Sequence, residues 1–464
     1  MTILSRLSNK SNRASGNPKR TKHSAPKVGR ETFRTSREMD FFSEKEFLTQ
    51  TGHEIRAWPL VFVKESMDNG LDNCEEAGIA PLIEVIADAS GITVKDNGSG
   101  LPGDTLKAQM NFAVRVSSRE AYVAPDRGRQ GNALKTILPM PRVVDPEHGR
   151  LIITTGGKRH VITCGVDPIS QQAVVNDRTE NVKSSNLVKG QKARFIRGAE
   201  MRMEWGKSGG RTVKWPFDGL LPCSDEADPP FHERFHSLVE AFALFNPHAT
   251  IRQNWFGKKK TWKATNANWQ KWNPSRPTSA HWYGVADLER LIAACITRDR
   301  DARTDRLVSD FLAQFDGLTG SLKRAKVLAE TGLKRVKLSE FVVNGHLDRD
   351  RIAKLLNAMQ KHTRPVNPKC LGIIGEEHFK TRLLAMGVKS ESFRYKQVIS
   401  GKKSKNSQSE QEEKPSFIPC VVEVAFGYLG PASPDKRRIC KKPSFFRALS
   451  GSPVPAAGQR IHTP

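Results

Sequence analysis

One stretch constrains this chain more than any other: PLVFVKESMDNGLDNCEEAG, from Pro59 to Gly78. At about 100° per residue, a helix over it gathers Leu60, Val63, Met67, Leu71 and Cys74 on one side. The other side sets Glu65, Asn69 and Asp72 within roughly 60° of one another. Pro59 suits a first helical turn, where its missing N–H costs nothing, and Gly78 suits a left-handed C-terminal cap. One face is therefore core. The acidic, amide-bearing stripe opposite reads either as a solvated face or as a site.

Downstream, LIEVIA (Leu82 to Ala87) and ITVKD (Ile92 to Asp96) read as two strands about the turn Asp88-Ala89-Ser90-Gly91. The second strand delivers Asp96 into Asn97-Gly98-Ser99-Gly100-Leu101-Pro102. A carboxylate at a strand end, followed by glycines two apart, offers one side chain to a ligand while backbone amides come close to it. Many ordinary turns share that pattern, so alone it is weak. A third element, DRGRQGNALKTI (Asp126 to Ile137), reads as a Gly-rich loop entering a helix. Gly128 and Gly131 let N–H groups crowd around phosphate oxygens at the positive end of a helix. No G-K-[ST] follows, so this is not a Walker A loop. Ser117, Ser118 and the segment to Pro125 lie between, where a nucleotide lid is expected.

Charge narrows the partners. The chain carries a formal net charge of +26 with a pI near 9.9, which favours a polyanion, nucleic acid first, through counterion release. A ribosome-associated or merely very soluble protein has the same signature. No apolar run approaches the ~20 residues of a membrane span, and the N-terminus lacks a secretory signal. The cysteines, Cys74, Cys164, Cys223, Cys295, Cys370, Cys420 and Cys440, are scattered without a C-x-x-C pair. That spacing argues against a zinc module or disulfide framework and fits a reducing cytoplasm. A cytoplasmic, nucleoid-associated protein is expected.

The combination of motifs says more than any one of them. A helix with Glu and Asn four apart, then a strand ending in D-x-G-x-G, then G-x-x-G entering a helix, within about 70 residues, resembles the GHKL (Bergerat-fold) ATPase family. In detail, KESMDNGLDNCEEAG, VKDNGSGLP and RGRQG are similar to the B subunits of DNA topoisomerase VI. The resemblance implies ATP and Mg²⁺ as ligands. It makes Glu65 the general base that orients the attacking water and Asn69 the Mg²⁺ ligand. Asp96 would accept from the adenine amino group, Gly98 and Gly100 line the base pocket, and Gly128 and Gly131 cradle the phosphates. Ser117 and Ser118 belong to the same ATP-binding set, and Asp68 and Asp72 to its support. Phosphoryl transfer needs little beyond positioning, a metal and an oriented water. Two departures stand out. Ala133 replaces the third glycine of the phosphate loop, although GNAL is similar to the GEAL of MutL relatives. The later G-T motif is at best Gly190-Gln191.

The remaining chain is read beside that resemblance. Residues 1–32 form a basic arm without periodicity, equally a phosphate-touching arm or a solvated tail. FRTSREMDFFSEKEFLTQTG holds a strap and short helix, with Ser43 capping and Glu46 three residues on. LIITT and HVITC complete a sheet, FHSLVEAFALFNPHATI gives a helix and strand, and Asn246-Pro247-His248 is a turn. Trp255, Trp262, Trp269 and Trp272 read as packing rather than base stacking. LERLIAACI, RLVSDFLAQF, LKRAKVLAETGL and DRIAKLLNAM read as helices, which the resemblance makes a helix-two-turns-helix insert. Its Lys323, Arg324, Lys326, Lys334, Arg335 and Lys337 line DNA or face solvent. LGIIGEEHF and FIPCVVEVAFGYLG resemble the opening of a transducer domain, and the likeness stops after Gly430.

The expected architecture is α+β: a GHKL ATP-binding sandwich over 33–230, a connecting segment 231–285, a helical domain 286–362, a partial transducer-like α/β domain 363–430 and a basic tail 431–464. The implied function is an ATPase subunit whose nucleotide-driven homodimerisation gates DNA for strand passage, with a separate topoisomerase VI A-like subunit doing the cutting. Rival readings are a stand-alone GHKL switch on DNA and a DNA-binding relic with little turnover. A sensor kinase is disfavoured, since no phosphoacceptor helix pair precedes the motifs.

Overall fold

In the computed structural model the long helix forms as the sequence dictates, over Trp58–Glu76, with Pro59 in its first turn. Its end is a Schellman cap: Gly78 takes φ +64°, its N–H reaches the Glu75 carbonyl at 3.1 Å, and Ile79 N–H reaches the Cys74 carbonyl at 2.9 Å. Val63, Met67, Leu71 and Cys74 are buried as expected, but Leu60 is only half-buried and Phe62 is fully inside. The structure describes residues 42–111, 121–123, 133–167, 169, 172–182, 198–205, 207–208, 211–212, 231–272, 276–400, 420–429 and 448–450. The basic arm and the basic tail lie outside them, apart from residues 448–450.

In chain order the described helices are α1 (Glu44–Thr51), α2 (Trp58–Glu76), α3 (Gly103–Gln109), α4 (Ala133–Ile137), α5 (Met140–Val144), α6 (Phe231–Phe245), α7 (Val285–Asp301), α8 (Val308–Leu312), α9 (Ser321–Thr331), α10 (Arg349–His362) and α11 (Glu376–Ala385). The strands are β1 (Leu82–Asp88), β2 (Gly91–Lys95), β3 (Arg150–Thr155), β4 (Lys158–Val166), β5 (Ala173–Asn181), β6 (Ala199–Glu204), β7 (Lys207–Ser208), β8 (Arg211–Thr212), β9 (Thr250–Trp255), β10 (Lys258–Trp262), β11 (Val342–Val343), β12 (His346–Leu347), β13 (Arg394–Ser400), β14 (Cys420–Phe426) and β15 (Ala448–Ser450). Ser43 caps α1 by accepting the Glu46 N–H at 3.2 Å, as its spacing predicts.

Eight strands form one mixed sheet in the order β10-β9-β1-β2-β6-β3-β4-β5. Only the β1–β9 pair within it is parallel, bringing Leu82 opposite Thr250. β1 and β2 form a hairpin whose turn is held by the Asp88 carboxylate, which accepts from the Ser90 N–H and hydroxyl at 2.9 Å. Ile83, Val85 and Ala87 alternate inward along β1 and meet α2 and α6 in the first core. This is the α/β sandwich that the motifs imply. The segment 231–285 is not merely connecting. α6 supplies Phe235, Val239 and Phe242 to the first core, and β9 and β10 extend its sheet. An amphipathic helix followed by an alternating strand has a face to bury, and the open edge at β1 receives it.

A second core gathers α7 to α10 around Tyr283, Phe311, Phe315 and Phe341, with Trp272 packed edge-on against Trp282 at 4.8 Å. A third joins α11 to the β13-β14-β15 sheet through Phe379, Leu383 and Ala425. Glu423 is wholly buried there, accepting from the N–H groups of Ile374 and Gly375 at 2.9 and 2.8 Å and from the Tyr395 hydroxyl at 2.6 Å. Such a carboxylate keeps its solvation only through donors supplied by the fold. The four tryptophans are packing residues. Trp255 lies against Phe235, Trp269 against His248 with its N–H on the Ile373 carbonyl, and Trp262 and Trp272 are buried.

Candidate functional site

The stripe on α2 survives folding. Glu65, Asn69 and Asp72 are partly exposed on one flank of a helix whose other flank is core. The stripe is not bare. Lys64 Nζ stands 2.6 Å from Glu65 Oε1 and 3.2 Å from Asp68 Oδ2. Lys271, from the segment after β10, reaches Asp72 at 3.4 Å and Glu75 at 3.1 Å. His248 Nε2–H donates to the other Glu75 oxygen at 2.9 Å. Burial pushes the Asp68 carboxyl up to about 6, against the opposing pull of Lys64 and with help from the negative charge of Glu65. Burial would lower the Lys271 ammonium, but Glu75 and Asp72 more than offset that and hold it above its ordinary value.

The second motif is folded against the first. Asp96 is buried at the end of β2, its N–H on the Ala199 carbonyl at 2.9 Å and its Oδ1 accepting from Gly98 N–H at 2.8 Å. Burial pushes its carboxyl up to about 6 despite that backbone hydrogen bonding. Gly98 is required by proximity: a Cβ there would lie 2.8 Å from the backbone of Asn73 and Cys74 on α2. Gly70 is the reciprocal contact, since its Cβ would stand 3.0 Å from the Asp96 Cβ. Gly100 is at φ +83°, and a Cβ there would meet the Thr155 hydroxyl at 2.7 Å. That hydroxyl accepts the Leu101 N–H at 2.8 Å. Asn97 ties the loop down, accepting from Leu82 N–H at 2.8 Å and donating to the Ala80 carbonyl at 3.1 Å.

Asp96 and Gly98 are thus packed on α2 through Gly70, Asn73 and Cys74, and Gly100 is packed on Thr155, while Glu65, Asn69 and Asp72 lie on the partly exposed flank of the same helix. Gly98→Ala is expected to cost about 1–3 kcal/mol by forcing α2 away from the loop, read as a lowered melting temperature. Ser117, Ser118, Gly128 and Gly131 lie outside the described residues, as does Gly190-Gln191. The elements flanking two of those gaps are described. Lys135 on α4 is buried, its Nζ donating to the Asn111 carbonyl at 2.6 Å. Residues 121–123, between the expected lid serines and the Gly-rich loop, sit on the second core. There Tyr122 Oη–H donates to Gln314 at 2.5 Å, Val123 N–H donates to the Tyr283 hydroxyl at 2.9 Å, and Thr278 Oγ1–H donates to the Val123 carbonyl at 2.7 Å.

Sequence reasoning missed Gly70, Asn97, Thr155 and Lys271. Gly70 carried a signal, since a glycine inside a helix costs about 1 kcal/mol relative to alanine and calls for a packing reason. Lys271 carried none, because its pairing joins segments far apart in the chain. Among the described residues no cluster of three or more His, Cys, Asp or Glu could hold a metal ion by itself. No described helix is long and apolar enough to cross a membrane.

The sequence of this chain is similar to those of the B subunits of type 2 DNA topoisomerases. The relatives that carry that likeness are the B subunits of type 2 DNA topoisomerase 6 from archaea. That of Archaeoglobus fulgidus is 24% identical over 355 residues, covering 75% of this chain and 52% of the relative. Those of Pyrococcus abyssi and Methanosarcina acetivorans are 27% identical over 132 residues and 30% over 99, covering 27% and 20% of this chain and 23% and 16% of theirs. The chain spans about half the length of the first of these and less of the others. No family model matches it. Among solved structures, the Aquifex aeolicus MutL ATPase domain complexed with ADP has a TM-score of 0.26 at 15% identity, covering 50% of this chain and 67% of that one. The 43K ATPase domain of Thermus thermophilus gyrase B in complex with an aminocoumarin has 0.29 at 17%, covering 49% and 52%.

Proposed function

We propose that this chain binds ATP with Mg²⁺ at the α2–β2 junction and hydrolyses it, as the ATPase subunit of a topoisomerase VI-like assembly. The observation that carries the reading is the mutual fit of the two motifs, Gly98 against the α2 backbone and Gly70 against Asp96. That fit sets the Asp96 carboxylate, an acceptor suited to a base amino group, against the helix that carries Glu65 and Asn69. The chemistry of the donors suits the ligands. Asn69 offers a hard carboxamide oxygen of the kind a phosphate-bound Mg²⁺ accepts as a single protein ligand, and the bound ion neutralises charge on the phosphates. Glu65 orients the attacking water and takes its proton at a carboxylate oxygen. Asp96 accepts from the adenine amino group. Gly98 and Gly100 let the base lie against backbone. Ser117, Ser118, Gly128 and Gly131 complete the phosphate enclosure.

Nucleotide closure then brings two copies together and gates DNA held by the basic surface, strand cleavage being the work of a separate A-like subunit. Titration calorimetry with ATP and Mg²⁺ tests the core of this. Wild type is expected to bind, and Asn69→Ala to lose affinity by about tenfold or more, since one hydrogen bond or ligand to a charged group is worth about 1.5–3 kcal/mol. Wild-type protein that ignores ATP, with or without DNA, sinks the reading.

A further inference from the structure

We propose that Lys64 is a positioning residue for hydrolysis, orienting the Glu65 carboxylate; this rests on the reading of Glu65 as the base. The ammonium bridges two carboxylates one turn apart on α2, at 2.6 Å from Glu65 Oε1 and 3.2 Å from Asp68 Oδ2. It thereby occupies one oxygen of Glu65 and leaves Oε2 with no partner among the described residues. A base must present one lone pair in a fixed direction, and a glutamate with three free torsions does not do so unaided. Lysine suits the task because its three tetrahedral donors engage two carboxylates at once, whereas the planar guanidinium fork of arginine favours bidentate pairing with one.

The rest of the stripe explains why the task falls to Lys64. The other cation, Lys271, is committed to Asp72 and Glu75 toward the helix's C-terminal end. With Lys64 removed, Glu65 and Asp68 face each other as like charges at i,i+3, and Glu65 turns outward to water. The ion pair is partly exposed on a helix formed without it, with side chains 28%, 25% and 26% accessible for Lys64, Glu65 and Asp68. Such pairs contribute little to stability, so the effect belongs to turnover rather than folding.

Steady-state ATPase assays on the full chain, with and without supercoiled DNA, separate the possibilities when run on Lys64→Met, Lys64→Arg, Glu65→Gln and the double variant Lys64→Met/Glu65→Gln. Lys64→Met is expected to lower kcat about tenfold or more, on the scale of a misaligned general base. KM, ATP affinity and melting temperature should stay near wild type, Lys64→Arg, which keeps the charge but not the two-carboxylate geometry, should restore only part of the rate, and the double variant should be no slower than Glu65→Gln. An unchanged kcat in Lys64→Met, or a loss of ATP affinity equal to the loss of rate, overturns the proposal while Glu65 keeps its assignment if Glu65→Gln is inactive. Full turnover by Glu65→Gln overturns both.

Discussion

Glu65→Gln is expected to slow ATP hydrolysis by about 10²–10⁴-fold while leaving ATP affinity within a few-fold of wild type, because a general base contributes on that scale. Glutamine keeps the volume and one acceptor oxygen of the glutamate but cannot take a proton. The substitution also spares the fold: Glu65 lies on the partly exposed flank of α2 and contributes nothing to the first core. Loss of rate without loss of binding is therefore the signature to seek, in single-turnover assays alongside calorimetry. If kcat and affinity fall together, the side chain supports the nucleotide rather than the water, and the role assigned to Glu65 passes elsewhere.

Asp96→Asn is expected to stabilise the ligand-free protein at neutral pH and to abolish most nucleotide binding. Burial raises this carboxyl from its ordinary 3.8 to about 6. Between those limits the folded state holds the extra proton, so the contribution of Asp96 to stability falls as pH rises through that window. Above about 6 the full cost of a buried charge is present, at most about 3 kcal/mol. Asparagine removes that cost while its Oδ1 still accepts the Gly98 N–H that Asp96 accepts at 2.8 Å. The atom left facing the base is then an NH₂ group. A donor meets the adenine amino donor, and affinity should fall about 10–100-fold, the worth of one charge-assisted hydrogen bond. Thermal melts should show a smaller advantage for the variant at pH 5, inside that window, than at pH 7.5, above it. Equal ATP affinity in both proteins removes Asp96 from the adenine pocket.

What could be read from the chain in advance was local. α2, its proline start and its glycine stop, the Ser43 cap and the β1–β2 hairpin each depend on residues within a turn or two of one another, and periodicity reports such relations directly. The failures share the opposite cause. Leu60 is shallower than its spacing predicts and Phe62, which the spacing does not assign to the core face, is buried, because burial of α2 is decided by α6 and the sheet as well as by the helix's own periodicity. The helix read into RLVSDFLAQF shrinks to Val308–Leu312. β9 joins β1 only after the chain has traversed most of the first core. Within the site, the motif residues of α2 and of the Asp96 loop could be named, whereas the packing that makes Gly70 and Gly98 obligatory appears only when helix and loop are brought together. The cation at Lys271 likewise reaches the stripe from a segment that no spacing rule connects to it.

The docking of residues 121–123 on the second core has a thermodynamic consequence. The chain linking α3 to α4 is tethered midway to the helical unit through Tyr122, Val123 and Thr278. Loosening Phe311 or Phe315, which pack with Tyr283, therefore releases residues 121–123 as well as melting the helices. Heat, denaturant or substitution applied to the helices should accordingly be felt at the Val123 amide, so that a short piece of the α3–α4 connection exchanges with solvent in step with a core it does not itself build.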